Sequence, residues 1–96
     1  MLFEWDENKE KANIQKHGID FRAAATVFLD EKKVDDIYDY LHSQDEDRYI
    51  VLGMMAGTTT VLFVSYTERG DIIRIISARE ATKEEREGYY HGYYSL

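Results

Sequence analysis

A chain of 96 residues with no cysteine, 44% hydrophobic and 32% charged, suits one domain with one core and excludes disulfides, thiolate metal sites and a disordered chain. No apolar run approaches the length needed to cross a bilayer, and the N-terminus lacks the basic and apolar regions of a signal peptide, so a cytoplasmic protein is expected. The formal net charge is -7 and lies wholly in residues 1–47, which hold 13 acidic and 6 basic side chains, whereas residues 48–96 hold 6 of each; that field repels nucleic acid at long range and favours a basic partner.

Residues 2–5 read as a short strand with Phe3 and Trp5 on one face. Asp6 is placed to cap a polar helix over 7–16, whose few apolar members are Ala12 and Ile14. Gly18 fits the position just past its end, with Lys16 and His17 in the last turn, where the helix dipole favours positive charge. Asp20 caps a second helix over 21–29, with Phe21, Ala24, Ala25 and Phe28 forming a stripe toward the core. The short linker makes the two an αα-hairpin.

Residues 34–41 read as a polar edge strand and 42–48 as a loop. Residues 49–55 and 59–66 are strands joined by a hairpin turn at Ala56-Gly57-Thr58, and the second, rich in β-branched and aromatic residues, is the central one. A turn at Arg69-Gly70-Asp71 leads to a further strand ending near Ser77, completing an antiparallel meander. Thr82-Lys83-Glu84-Glu85 is a capping-box pattern. It opens a third helix whose Tyr89, Tyr90, Tyr93 and Tyr94 pair at i, i+4; weakened by Gly88 and Gly92, it is expected to pack on the sheet through one tyrosine pair or, in addition, to offer aromatic surface to a partner. The expected fold is α+β: one domain over 1–96, with an antiparallel sheet of about four strands packed against two N-terminal helices and a C-terminal helix.

Residues 66–79 carry the chemistry that the composition does not explain. Arg69, Arg74 and Arg79 fall within eleven residues of an acidic chain. A guanidinium offers five donors in a rigid fork suited to phosphate or carboxylate and stays charged. The alternative is that these arginines cover apolar surface and pair with Glu68, Asp71 or Glu80. Arg74 and Arg79 are five positions apart, so strict alternation puts them on opposite faces unless a bulge intervenes. The three histidines, at 17, 42 and 91, follow no zinc spacing, and no phosphate loop, nucleophile elbow or metal motif is present, so no cofactor or metal is expected.

Several segments together resemble a known family. Phe3-Glu4-Trp5-Asp6, Lys16-His17-Gly18 and Ala23-Ala24-Ala25-Thr26-Val27-Phe28 are similar to the start of the BrnT toxins. His42, the run Asp47-Arg48-Tyr49-Ile50-Val51-Leu52-Gly53, Tyr66-Thr67-Glu68-Arg69, Arg74-Ile75-Ile76-Ser77-Ala78-Arg79 and Glu85-Arg86 are similar to its middle and end. The resemblance implies a RelE-like fold and a ribonuclease toxin of a type II toxin–antitoxin system that inhibits translation by cutting RNA. It also implies a BrnA-type antitoxin of the ribbon-helix-helix kind, a complex of two toxins and two antitoxins, and contact with operator DNA only through the antitoxin. The net charge of -7 and the aromatic tail over 89–96 depart from that pattern.

Metal-independent RNA cleavage needs a base for the 2′-hydroxyl, positive charge for the phosphorane and a proton for the leaving 5′-oxygen. For the charge, Arg79 is the first choice, then Arg69 and Arg48, with Arg74 also covered by the resemblance. For proton transfer the candidates are His17, His42, Lys16, Glu46 and Glu68, the histidines having the best-suited chemistry and His17 standing slightly ahead by resemblance. Tyr66 and Tyr89 are expected in the core rather than under a base. A catalytically silent module that acts as co-repressor with its DNA-binding partner is the alternative from another class; a stand-alone RNA-binding domain is disfavoured by the charge.

Overall fold

A computed structural model describes residues 1–96, and its helices begin where the caps are expected. The Asp6 carboxylate accepts from the backbone N–H of Asn8 and Lys9 at 2.8 and 3.0 Å and opens α1 (Glu7–His17); Gly18, at φ 73°, ends it. Asp20 accepts from Ala23 N–H at 2.7 Å and opens α2 (Phe21–Ala25). The second helix does not run as one α-helix to residue 29. It tightens into a 3-10 turn, Thr26–Leu29, where the Thr26 hydroxyl donates to the Ala23 carbonyl at 2.6 Å. Three residues per turn bring Val27 inward beside Phe21, Ala24 and Phe28, and leave Ala25 of the expected stripe half-buried.

The strands are β1 (Leu2–Glu4), β2 (Val34–Tyr38), β3 (Tyr49–Met54), β4 (Val61–Arg69) and β5 (Ile72–Glu80), ordered β1-β5-β4-β3-β2, with β4 central. The meander β2 to β5 is antiparallel, but β1 joins β5 in parallel, Leu2 to Glu4 against Ile72 to Arg74. The sheet is therefore five-stranded and mixed, not antiparallel with about four strands. A parallel neighbour requires a long crossover. Here everything from α1 to β4 supplies it, and nothing local to residues 2–5 marks the sense of pairing.

β1 covers only the first third of the outer edge of β5. Beyond it α1 takes over. The Asn13 amide donates to the Ala78 carbonyl at 2.9 Å and accepts from Ala78 N–H at 3.1 Å, completing the ladder as a side chain. It donates a further hydrogen bond to the Ile19 carbonyl at 2.9 Å, and it is the one buried residue of α1. β2, the other edge, is blunted by a bulge between Val34 and Ile37, in which Asp36 adopts φ 55°. The Tyr66 hydroxyl donates to the Asp36 carboxylate at 3.1 Å and accepts from Asp36 N–H at 3.2 Å.

The sheet is packed on both faces. Val51, Leu62, Val64, Tyr66, Ile75 and Ala78 meet Phe21, Ala24, Val27 and Phe28. On the other face Ile37, Ile50, Leu52 and Val61 meet Ala81 and Tyr89. Tyr89 belongs to α3 (Lys83–His91), whose capping box at Thr82 and Glu85 is formed as expected. α3 stops at Gly92, φ 76°, so Tyr93 and Tyr94 lie beyond the helix: Tyr89 is the one buried tyrosine of α3 and meets the exposed Tyr90 ring edge-on at 5.1 Å, Tyr93 is exposed, and Tyr94 folds back onto the same cluster. Gly88 makes that return possible, since a Cβ there would stand 2.8 Å from the Tyr94 ring.

Candidate active site on the arginine face

α3 covers only part of its face, and the rest collects the arginines. The register between β4 and β5 pairs Phe63 with Arg79 and Ser65 with Ser77, then shifts to pair Tyr66 with Ile75 and Thr67 with Arg74. Ile76 is the extra residue, a β-bulge that restores parity between Arg79 and Arg74. Both therefore project from the face that carries Phe63, Ser65, Thr67 and Arg69. Strict alternation, which would have separated them, does not hold across the bulge. On β3, Ile50 pairs with Ser65, so alternation brings Arg48 to this face as well.

The segment between β2 and β3 adds the histidine. Its neck is closed by Asp39 N–H donating to the Arg48 carbonyl at 2.9 Å. The Ser43 hydroxyl donates to the Asp39 carbonyl at 2.6 Å and accepts from Arg48 N–H at 2.8 Å. A short 3-10 turn, Tyr40–His42, then puts His42 three residues beyond Asp39 and over it. His42 Nδ1 lies 2.8 Å from Asp39 Oδ2; the aspartate is buried, while the histidine side chain is 63% exposed. A carboxylate only accepts, so Nδ1 carries a hydrogen, and in the neutral imidazole Nε2 is the nitrogen left with a lone pair.

His42 stands between two cavities. One, of about 440 Å³, is lined by Leu41, Gln44, Asp45, Glu46 and Arg48 besides His42. The other, of about 350 Å³, is lined by Asp39, Tyr40, Leu41, Phe63 and Leu96. Arg79 lies over the Phe63 ring with its guanidinium carbon 4.0 Å from the centroid. Its fork grips Glu85 at 2.8 and 3.0 Å, and Glu85 also accepts from Thr82 N–H at 2.8 Å. Arg79 is thus fixed beside the site and tied to the start of α3.

That network sets a pH response. Burial pushes the Glu85 carboxyl up, but the Arg79 fork and the Thr82 N–H outweigh it and hold it below its ordinary value of 4.5. A carboxylate depressed in the folded state contributes stability that is full above its unfolded value and lost as pH falls through the folded one. Thermal melts taken from about pH 6 down to about pH 3 should therefore show midpoints falling on the acid side, and Glu85→Gln should remove part of that slope. An unchanged slope in the variant would count against the network.

Arg69 and Arg74 lie further along the same face. Arg69 donates from Nε and Nη2 to the two carboxylate oxygens of Glu46, both at 3.1 Å. Arg74 pairs with Glu4 of β1. Thr67 pairs with Arg74 across β5, and one more step of the β3–β4 register places Arg48 on its other side. Its hydroxyl is the one buried side-chain polar atom without a hydrogen-bond partner.

The structure brings together His42, Arg48 and, through Phe63, Arg79, with Arg69 and Arg74 adjoining through Glu46. It does not bring His17 or Lys16 there. Those two line a separate groove with Lys9, Ala12, Asn13, Ile76 and Ser77, where α1 meets the edge of β5. Glu68 pairs with Ile73 and faces the opposite side of the sheet, where burial and the nearby Asp36 push its carboxyl up. Tyr66 and Tyr89 are buried and hydrogen-bonded to Asp36 and Asp30. Asp39, Ser43 and Phe63 were not singled out by sequence, and Glu85 only as a helix cap and as part of the family resemblance, not as the partner of Arg79. For Asp39 a signal exists in its i,i+3 spacing to His42, which becomes a contact once a 3-10 turn is recognised.

A small α+β domain that orients a histidine on a buried aspartate, with arginines spread along the same sheet face, has chemistry suited to a phosphodiester. Residues 5–85 match a family model described as "Ribonuclease toxin, BrnT, of type II toxin-antitoxin system". The chain belongs to the BrnT family. Among curated proteins none matches it. No helix is long and apolar enough to cross a membrane.

Proposed function

We propose that this chain is a metal-independent endoribonuclease of RelE-like type that inhibits translation in the cytoplasm. A BrnA-type ribbon-helix-helix antitoxin holds it inactive in a 2:2 complex that reaches operator DNA through the antitoxin. The observation that carries the reading is the Asp39–His42 pair at 2.8 Å, with Arg48 on one side of the histidine and Phe63, under Arg79, on the other. His42 Nε2 accepts the 2′-hydroxyl proton as the 2′-oxygen attacks phosphorus. Arg48, with no carboxylate partner, meets the charge that builds on the phosphorane. The bond to the 5′-oxygen breaks, giving a 2′,3′-cyclic phosphate and a 5′-hydroxyl protonated from solvent. Asp39 keeps the tautomer, and Arg79 fixes the Phe63 wall.

Carboxylates on Arg69, Arg74 and Arg79 favour a second reading, the catalytically silent co-repressor. One experiment separates the two. Protein purified free of antitoxin is incubated with total RNA in excess chelator, with and without the antitoxin added back. Chelator-resistant cleavage that the antitoxin suppresses is the expected result. Intact RNA, with no growth defect when the chain is expressed alone, would sink the ribonuclease reading and leave the co-repressor.

A further inference from the structure

We propose that Arg69 and Arg74 form a second phosphate subsite for a nucleotide flanking the scissile one, and that Glu46 occupies it in the unbound protein in place of the phosphate. The proposal rests on the reading that the substrate is RNA.

The Glu46 carboxylate meets Arg69 in the two-pronged geometry that a guanidinium also offers a phosphodiester, with both contacts at 3.1 Å. The Arg69 hydrogen bonds first, and the charges of Arg69, Arg48 and Arg74 after them, hold the Glu46 carboxyl below its ordinary value, so one anion feels all three arginines. Glu46 sits in an acidic run, Asp45-Glu46-Asp47, whose neck is fixed independently through Ser43 and Arg48 and whose Asp47 is held by the Tyr38 hydroxyl at 3.0 Å. The Glu46 side chain can therefore leave while the segment stays in place.

Fold stability gives no reason for the Glu46–Arg69 pair. Its two side chains are 42% and 49% exposed, and an ion pair that wet is weakly held. Arg74 and Arg48 flank the same stretch of β4 on this face, so the position that Glu46 fills is surrounded by positive charge. Exchanging the carboxylate for a phosphate lets an acidic protein hold a polyanion, because the arriving phosphate takes over a site already built for negative charge.

The probe is a 2′-O-methyl RNA hexamer, which lacks the attacking hydroxyl and binds without being cut. Glu46→Gln should tighten its binding about fivefold at low salt. Arg69→Ala should weaken it and reduce the slope of log affinity against log salt by roughly 0.7, the loss of one phosphate contact on a single strand. In the double variant the gain from Glu46→Gln should disappear. Both positions are exposed, and thermal melts of the variants verify that the fold is kept. No tightening in Glu46→Gln together with an unchanged salt slope in Arg69→Ala overturns the subsite, as does a hexamer that fails to bind even Glu46→Gln. Wild type that cleaves RNA while the variants bind normally loses only the subsite. Wild type that shows the binding shifts yet cleaves nothing loses only the ribonuclease reading.

Discussion

His42→Ala should lower the rate of RNA cleavage by about a hundredfold or more, the usual worth of a positioned general base. Affinity for the uncleavable hexamer should stay near that of wild type, because the charge that holds the strand comes from arginines. Asp39→Asn should share the rate loss in part: the amide has the size of the carboxylate but can donate to Nδ1 and select the wrong tautomer. Asp39 is a positioning residue, so its loss should appear in kcat far more than in KM. His17→Ala is the internal control. His17 lies in the α1–β5 groove, so cleavage should be unaltered. If His17→Ala lost activity and His42→Ala kept more than half of it, the site would have to move to that groove.

Asn13→Ala should be the most destabilising substitution in α1, at about 3 kcal/mol. The side chain makes three hydrogen bonds, two of them to the backbone of Ala78, which is fully buried. Truncation leaves a buried N–H and carbonyl unpaired on an edge that no strand covers, and each such group costs about 1–3 kcal/mol. In a domain of this size the midpoint of thermal unfolding should fall by roughly 15 °C. Ala12→Ser, one residue away on an exposed position, should change it little. Equal melting of Asn13→Ala and wild type would mean that another group closes the edge.

What could be read beforehand follows from how local each signal is. Asp6, Asp20 and the Thr82–Glu85 box set helix starts through atoms two or three residues apart, and all three are where the sequence places them. The core of β4 is equally legible, because β-branched runs report burial directly. The failures need partners far along the chain. Nothing in residues 2–5 indicates a parallel partner at Ile72–Arg74, and nothing in a polar helix marks Asn13 as the residue that caps a strand 65 positions away. The site is legible to the same extent. Arg48, Arg69, Arg74, Arg79 and His42 were all candidates, whereas the choice of His42 over His17 depends on Asp39, and the grouping of the arginines depends on the bulge.

That bulge means that the core and the site of this protein share one counting rule. Residues 72–75 of β5 supply Ile75 to the core and Arg74 to the opposite face, both relative to Ala78 and Arg79 across a single surplus residue. What matters at Ile76 is less its isoleucine side chain than the presence of a residue at all. Substitutions there change a surface, but loss of the position would invert the strand, turning an arginine into the hydrophobic interior and an isoleucine out to the arginine face. Insertions and deletions in β5 are thus constrained far more tightly than the exposure of its side chains suggests, and relatives that keep every arginine but differ by one residue between Arg74 and Arg79 would not present the same surface.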